Sequence, residues 1–208
     1  YPIQRRQVLS EHQVSITPDQ PVSVASRQAL QALQYFSADE RQLIQFRPAG
    51  FSFNRLAPYT SFDDYFQEIE RTWQIFVAIA KPIVCRRLSL RYINRIQIPM
   101  ANGPLKISEY LTLAPNLVAE KGLTFTSLFN QHSVLDSATQ NHANIVFATQ
   151  PFEDEFLPVI FDIECYRNVG FDPSDWVAIS GTIQSLRHLK NRVFTKSLTE
   201  KCLNLFQS

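Results

Sequence analysis

Glycine is scarce in this chain of 208 residues, which contains only five glycines, each isolated from the others. A P-loop and a dinucleotide-binding fingerprint both need several glycines within a few residues, because the backbone must approach phosphate closely. The sequence also lacks the Gly-x-Ser-x-Gly turn that presents the nucleophile of α/β-hydrolases. We therefore favour a non-enzymatic protein, and we predict neither a catalytic residue nor a cofactor.

Cysteine is even rarer, with only Cys85, Cys165 and Cys202 present. An odd number of cysteines at wide spacing argues against a disulfide framework and against a zinc site built from paired Cys-x-x-Cys motifs. The four histidines show no spacing typical of metal ligands: His12, His132, His142 and His188. We expect reduced, buried thiols and no metal site.

Long apolar runs are missing too, since none approaches the roughly 20 residues needed to cross a bilayer. The first residues lack the basic start and apolar core of a signal peptide. With 20 Lys and Arg against 19 Asp and Glu, the net charge of +1 excludes a diffuse polybasic tether. We expect a cytoplasmic protein without a membrane partner. Because the chain begins at Tyr1 and not at methionine, we also expect it to be processed or truncated.

Alternating polar and apolar residues predict a set of strands, and a Pro48–Gly50 turn between two of them predicts a hairpin. These strands are expected at 24–36, 43–46, 51–54, 84–98, 122–134, 144–150 and 159–166. Apolar residues at helical spacing predict an aromatic helix from Phe62 to Ala80, with Ser61 and Asp64 as a capping box.

A second helical pattern begins at Pro173 and predicts a long amphipathic helix capped by Asp172 or Ser174. Short helical turns are expected at 105–111 and 199–206, the latter with Leu198, Cys202 and Phe206 facing inward. Strands followed by a helix, twice over, indicate an α+β fold in which antiparallel sheet packs against the aromatic central helix and the long C-terminal helix. We expect one compact unit of residues 1–208, or two strand-rich halves of about 20–82 and 83–208.

The most informative segment is Val84–Pro99, which alternates like a strand and contains four arginines and no acid. Arg87, Arg91 and Arg95 fall on one face of this strand. They could meet the phosphates of a nucleic acid, or they could pair with Asp162 and Glu164 from a neighbouring strand. We favour the internal pairing, because the net charge of the chain is close to zero.

Two further chemistries are weaker alternatives at the same strands. Asp162 and Glu164 could bind a divalent metal as two carboxylates on one sheet face, as nucleases do. Asn94 lies among apolar residues and needs a hydrogen-bond partner, since an unpaired buried amide costs roughly 1–3 kcal/mol. We favour a structural tie to neighbouring backbone, with a ligand pocket lined by Tyr92 and Asn94 as the alternative.

Several segments together resemble a sporadically distributed family of conserved hypothetical prokaryotic proteins. They are Gly50 to Phe66, Trp73, Leu90 to Pro99, Val159 to Tyr166 and Leu186 to Phe206. The string RYIN at Arg91 to Asn94 is the most specific of them, and the resemblance covers most of residues 20–206. It implies that a first strand or more is missing at the N-terminus. It carries over no catalytic residue, because no activity is assigned in the family.

The charge distribution favours a protein that binds other proteins. Residues 153–175 carry seven acids against one arginine, whereas the segment 187–201 carries five bases against one acid. Segregated charge of this kind suits electrostatic recognition. We therefore expect a non-enzymatic interaction module that binds another protein or a second copy of itself, in a defence or toxin–antitoxin locus. Nucleic-acid binding or metal-dependent nucleic-acid processing is the first alternative, and a small-ligand-binding domain is the second.

Overall fold

The computed structural model describes residues 1–15, 23–100, 107–112, 123 and 126–206. The chain divides into two compact units, Tyr1–Pro82 and Ile83–Ser208. Each unit contains a four-stranded antiparallel sheet and a helix that follows the last strand. The predicted α+β class is therefore confirmed.

The first unit is a meander in which sequential strands pair with one another. Its sheet has the order β1–β2–β3–β4, formed by β1 (Ile3–Ser15), β2 (Ser23–Phe36), β3 (Gln42–Arg47) and β4 (Gly50–Arg55). The predicted hairpin is confirmed, since β3 pairs with β4 across the turn at Pro48. The aromatic helix α1 (Asp63–Ala80) packs on this sheet, where the rings of Phe76 and Phe46 stack with centroids 5.8 Å apart.

The start of α1 differs from the sequence prediction. No side chain caps the helix at its N-cap, Phe62, so the predicted capping box is wrong. Ser61 Oγ instead accepts from the N–H of Asp63 at 3.3 Å, and the Asp64 carboxylate accepts from the hydroxyl of Thr60 at 2.7 Å. Backbone geometry in the preceding loop decides this pairing, and the spacing of Ser61 and Asp64 does not reveal it.

The second unit contains β5 (Cys85–Pro99), β6 (Phe129–Asp136), β7 (Asn141–Thr149) and β8 (Phe156–Phe171), followed by α2 (Trp176–Ser197) and the short α3 (Glu200–Leu203). The sheet order is β5–β8–β7–β6, so β8 is an interior strand and β5 and β6 lie at the edges of the named sheet. Two 3-10 turns, Ile107–Glu109 and Asn204–Phe206, complete the described elements.

The inner face of this sheet carries the core of the unit. Side chains that alternate along β8, with those of β5 and β7, pack against the apolar face of α2. Fully buried members include Phe147, Phe161, Ile163 and Leu186. The Phe147 and Phe161 rings stack with centroids 4.3 Å apart. This packing fixes which face of the sheet points away from the helix.

Three details of the second unit correct the sequence predictions. Helix α2 is capped by Asp175, whose carboxylate accepts from the N–H of Ala178 at 3.0 Å, whereas Asp172 closes a turn with Ser174. Strand β6 begins at Phe129, although a strand was expected from 122, and residues 121–122 and 124–125 lie outside the described residues. Phe206 was expected to face inward, yet it is 48% exposed.

Candidate interaction surface on the second sheet

The face of the second sheet that points away from α2 is called the outer face here, and it is formed by alternate residues of β5 to β8. The register places Arg91 opposite Glu164 and Ile93 opposite Asp162. On the other side of β8, Asn144 lies opposite Glu164 and Val146 opposite Asp162. Residues from all four strands therefore meet in rows across one surface.

The three arginines of the outer face are all paired with carboxylates. Arg87 Nη2 donates to Glu164 Oε1 at 2.7 Å. Arg91 donates two hydrogen bonds to Asp162, from Nε to Oδ1 at 2.9 Å and from Nη2 to Oδ2 at 2.5 Å. Arg95 pairs with Glu153, which lies in the turn before β8. The predicted cross-strand pairing with Asp162 and Glu164 is thus present for Arg87 and Arg91, but not for Arg95. It raises the pKa of Arg91, first of all through the hydrogen bond to Asp162.

A continuous hydrogen-bonded ladder crosses the sheet at Glu164. The hydroxyl of Ser133 donates to Asn144 Oδ1 at 2.8 Å, and Asn144 Nδ2 donates to Glu164 Oε2 at 3.2 Å. With Arg87 on the opposite carboxylate oxygen, the ladder includes one side chain from each of the four strands. Such a chain of bonds holds the exposed polar groups in fixed positions.

Flat side chains form a second fixed feature beside the ladder. The guanidinium carbon of Arg87 lies 3.9 Å above the ring of Tyr166. On the neighbouring strand, the His142 ring stacks on Tyr166 with centroids 5.0 Å apart and an angle of 10° between the planes. Stacking of a guanidinium and two rings adds to the rigidity of this corner of the outer face.

Large apolar side chains remain exposed on the outer face. Ile93 is 63% exposed, Phe129 is 70% exposed and Leu135 is 52% exposed. Ile93 lies on β5 between Arg91 and Arg95 along the strand, and the other two lie on β6, at the opposite edge of the named sheet. The outer face thus combines paired charges with exposed apolar side chains.

The Tyr92 and Asn94 side chains lie on the opposite, inner side of β5. Asn94 Nδ2 donates to the backbone carbonyl of Phe161 at 3.0 Å, and Phe161 is the residue of β8 directly opposite Asn94. Lys190 from α2 places its Nζ 4.2 Å from the centre of the Tyr92 ring. Burial, and then the charge of Arg187, lower the pKa of Lys190. Asn94 therefore has a structural partner, and the lysine covers Tyr92.

The proposed metal ligands are engaged with other groups. Asp162 accepts two hydrogen bonds from Arg91, and Glu164 is held between Arg87 and Asn144. A cation would have to displace a guanidinium from each carboxylate. Within the described ranges, no group of three or more His, Cys, Asp or Glu side chains is arranged to hold a metal ion.

All three cysteines are free and buried in the described structure. Burial raises the pKa of Cys165 to about 12 and that of Cys202 to about 11. These thiols are therefore protonated at neutral pH and inaccessible, which makes them structural and not nucleophilic.

A groove of about 410 Å³ lies at the C-terminal end of β5. Its walls are Arg95, Ile96, Gln97, Phe156, Leu205 and Phe206. The exposed ring of Phe206 borders this groove. The sequence did not indicate the groove, because its walls come from three distant parts of the chain.

Several residues of the outer face were missed at the sequence level: Ser133, His142, Asn144, Glu153 and Tyr166. Alternation in β7 could have placed His142 and Asn144 on one face together. The signal that was lacking is the register between strands, which decides which carboxylate each arginine meets.

No family model, curated protein or solved structure matches the chain significantly. Among the described residues, no helix is long and apolar enough to cross a membrane. The function must therefore be argued from the outer face itself.

Proposed function

We propose that the chain is a non-enzymatic, cytoplasmic protein-interaction module that binds a partner protein through the outer face of its second sheet. The observation that carries this proposal is the exposure of Ile93, Phe129 and Leu135 on a face whose charges are already paired. A role in a defence or toxin–antitoxin locus is part of the proposal and is supported by the resemblance of the sequence alone.

Apolar exposure gives the free energy for such binding. Burying the side chain of an isoleucine or phenylalanine is worth roughly 1.5–3 kcal/mol each, and aromatic residues are enriched in energetically important contacts. The ladder from Ser133 to Arg87 presents fixed donors and acceptors on the same face as these groups. A surface that is already ordered loses little conformational entropy on binding.

Nucleic-acid binding, the first alternative, is less well supported by the charges. Each arginine of the outer face already has a carboxylate, so three positive groups are balanced by three negative ones. Phosphates would have to compete with Asp162, whose side chain is only 16% exposed and accepts from two nitrogens of Arg91. Affinity for a phosphate backbone needs unbalanced positive charge.

A small-ligand pocket at Tyr92 and Asn94 is the second alternative. The Asn94 amide already donates to Phe161, and Lys190 lies over the Tyr92 ring. These contacts fill the space where a ligand would have to bind, so the inner side of β5 supports a structural role better.

The proposal is tested by affinity recovery of partners from the native host with the full chain, with and without nuclease. Ile93→Glu places a charge in the exposed apolar group of the outer face. Ile79→Glu is the matched control, because Ile79 is also an exposed isoleucine, 76% exposed, but belongs to α1 of the first unit. We expect a protein partner that survives nuclease, is lost with Ile93→Glu and is retained with Ile79→Glu.

The opposite outcome is equally clear. Recovery of nucleic acid alone, lost when Arg91 and Arg95 are replaced by glutamine, would overturn the proposal in favour of the first alternative. Sedimentation of the purified chain then shows whether the partner is a second copy, since self-association makes the apparent mass rise with concentration.

A further inference from the structure

Strand β5 forms one edge of the second sheet in the part of the chain that the structure describes. This strand pairs with β8 from Cys85 to Pro99, and among the described residues no strand pairs with its other side. About half of its N–H and C=O groups therefore point outward along an edge of about 45 Å, calculated at 3.3 Å per residue. An unpaired edge of this length is a template for another extended chain.

Three arginines of β5, Arg87, Arg91 and Arg95, keep unused donors on the outer face. Arg91 uses Nε and Nη2 for Asp162, which leaves its Nη1 without a hydrogen bond to the described residues. Arg87 and Arg95 each use only Nη2 in their ion pairs. Their side chains are 45–59% exposed. Each guanidinium has five N–H donors, so it can bind its present carboxylate and another one on an added strand.

The same arginines act against two registers in which β5 would pair with β5 of a second copy. In an antiparallel pairing centred on Arg91, this residue would face itself and Arg87 would face Arg95. An antiparallel pairing centred on Ile93 would bring Arg91 opposite Arg95. Like charges directly opposite each other destabilise a sheet. An added strand that carries acids avoids these contacts between like charges, and β5 itself has no acid.

The groove at the C-terminal end of β5 adds a second recognition element. It is bordered by Arg95 and Gln97 on the strand and by Phe156 and Phe206, which are 38% and 48% exposed. An apolar side chain of an extended segment that runs along β5 would enter this groove. Main-chain bonds along the edge and a pocket for a side chain are the two features of recognition by strand addition.

We propose that β5 binds an extended acidic segment of a partner protein, which adds to the second sheet as a fifth strand. Its acids lie beside Arg87, Arg91 and Arg95, at every fourth residue, and an apolar residue occupies the groove. This inference rests on the proposed function and names the chemistry of the partner. A peptide fits better than a nucleic acid, because only a peptide backbone can pair with the edge of β5.

The test uses synthetic peptides of about the length of β5 that alternate threonine and valine and carry glutamate at every fourth position. The control peptide has glutamine in place of glutamate. Two further peptides are N-methylated at alternate residues, one along each edge of the peptide strand. Binding to the full chain is measured by fluorescence anisotropy, with an unstructured oligodeoxythymidine as the nucleic-acid probe.

We expect the acidic peptide to bind, and methylation along one edge to weaken its affinity by more than about tenfold, since several main-chain hydrogen bonds are lost. Methylation along the other edge should have little effect. Arg95→Gln should weaken binding by about two- to fivefold, as expected for one exposed ion pair. It is safe for folding, because its partner Glu153 is 52% exposed. Arg71→Gln, on α1, is the matched control.

Three results would overturn the strand-addition mode. They are the absence of peptide binding, binding that is insensitive to methylation along both edges, and tighter binding of the oligonucleotide than of the acidic peptide. If a protein partner is nevertheless recovered and lost with Ile93→Glu, the proposed function stands and only the mode of binding along β5 is wrong.

Discussion

The ion pair between Arg91 and Asp162 decides whether the arginine row is structural, and a double-mutant cycle measures it. The variants are Arg91→Gln, Asp162→Asn and the two combined. Arg91 donates through two nitrogens, and the Asp162 side chain is only 16% exposed, whereas that of Arg91 is 59% exposed. This half-exposed, bidentate geometry places the coupling free energy at about 1 kcal/mol, near the top of the range for exposed pairs.

The single variants should not be equal. Arg91→Gln removes the guanidinium from the Asp162 carboxylate, whose side chain is only 16% exposed, so it should cost about 1–2 kcal/mol. Asp162→Asn keeps an acceptor for Arg91 and should cost about 1 kcal/mol. The ion pair should also weaken as salt is added, because exposed charges are screened.

Urea unfolding followed by far-UV circular dichroism, at low and at high salt, gives these free energies. Matching unfolding slopes in the four proteins are needed to assign the differences to stability. A coupling free energy below about 0.3 kcal/mol at low salt would refute the structural reading. The ion pairs would then contribute little to holding the arginines in place, and the exposure of the arginines would indicate an external anion as their partner.

Three other outcomes follow from the packing of the second unit. Leu186→Ala should lower the free energy of unfolding by about 2–5 kcal/mol, since Leu186 is fully buried between α2 and the sheet; a cost below about 1 kcal/mol would contradict the described core. Asp175→Ala should cost about 1 kcal/mol through loss of the N-cap, whereas Ser174→Ala, the matched control, should stay within about 0.5 kcal/mol; equal costs in urea unfolding would argue against Asp175 as the cap. Ellman's reagent at pH 8 should react slowly with the native protein and rapidly after denaturation, because burial raises the pKa of all three thiols. Fast labelling of any one of them without denaturant would show that its site opens.

Signals between near neighbours in the chain were sufficient for most elements. A two-residue turn of Pro48 and Ala49 joins β3 to β4, and Pro48 favours such a turn through its fixed backbone angle. Apolar residues alternate along β5 and recur at helical spacing along α1 and α2. These patterns indicate which side of each element is apolar, so the α+β class follows from the sequence. These features depend on residues a few positions apart, and tertiary packing did not change them.

Ends and caps were harder to predict, because several polar residues compete for the same backbone groups. Asp172, Ser174 and Asp175 all precede α2 and all can accept hydrogen bonds, and only the path of the chain decides that Asp175 is the cap. The burial of Phe206 was also hard to predict from the sequence. Its spacing suggested an inward position, but the last turn of the chain leaves it at the edge of a groove.

The sequence by itself determined that β5 carries three arginines on one face and that Asp162 and Glu164 share one face of another strand. Only the tertiary structure decided that these strands are neighbours, that Arg95 meets Glu153, and that β5 lies at an edge of the sheet. Strand order and register are set by contacts between residues about 70 positions apart, and a shift of one residue would turn every side chain to the other face. The arginine strand was readable from local pattern, whereas the surface it forms exists only because β8 lies beside it.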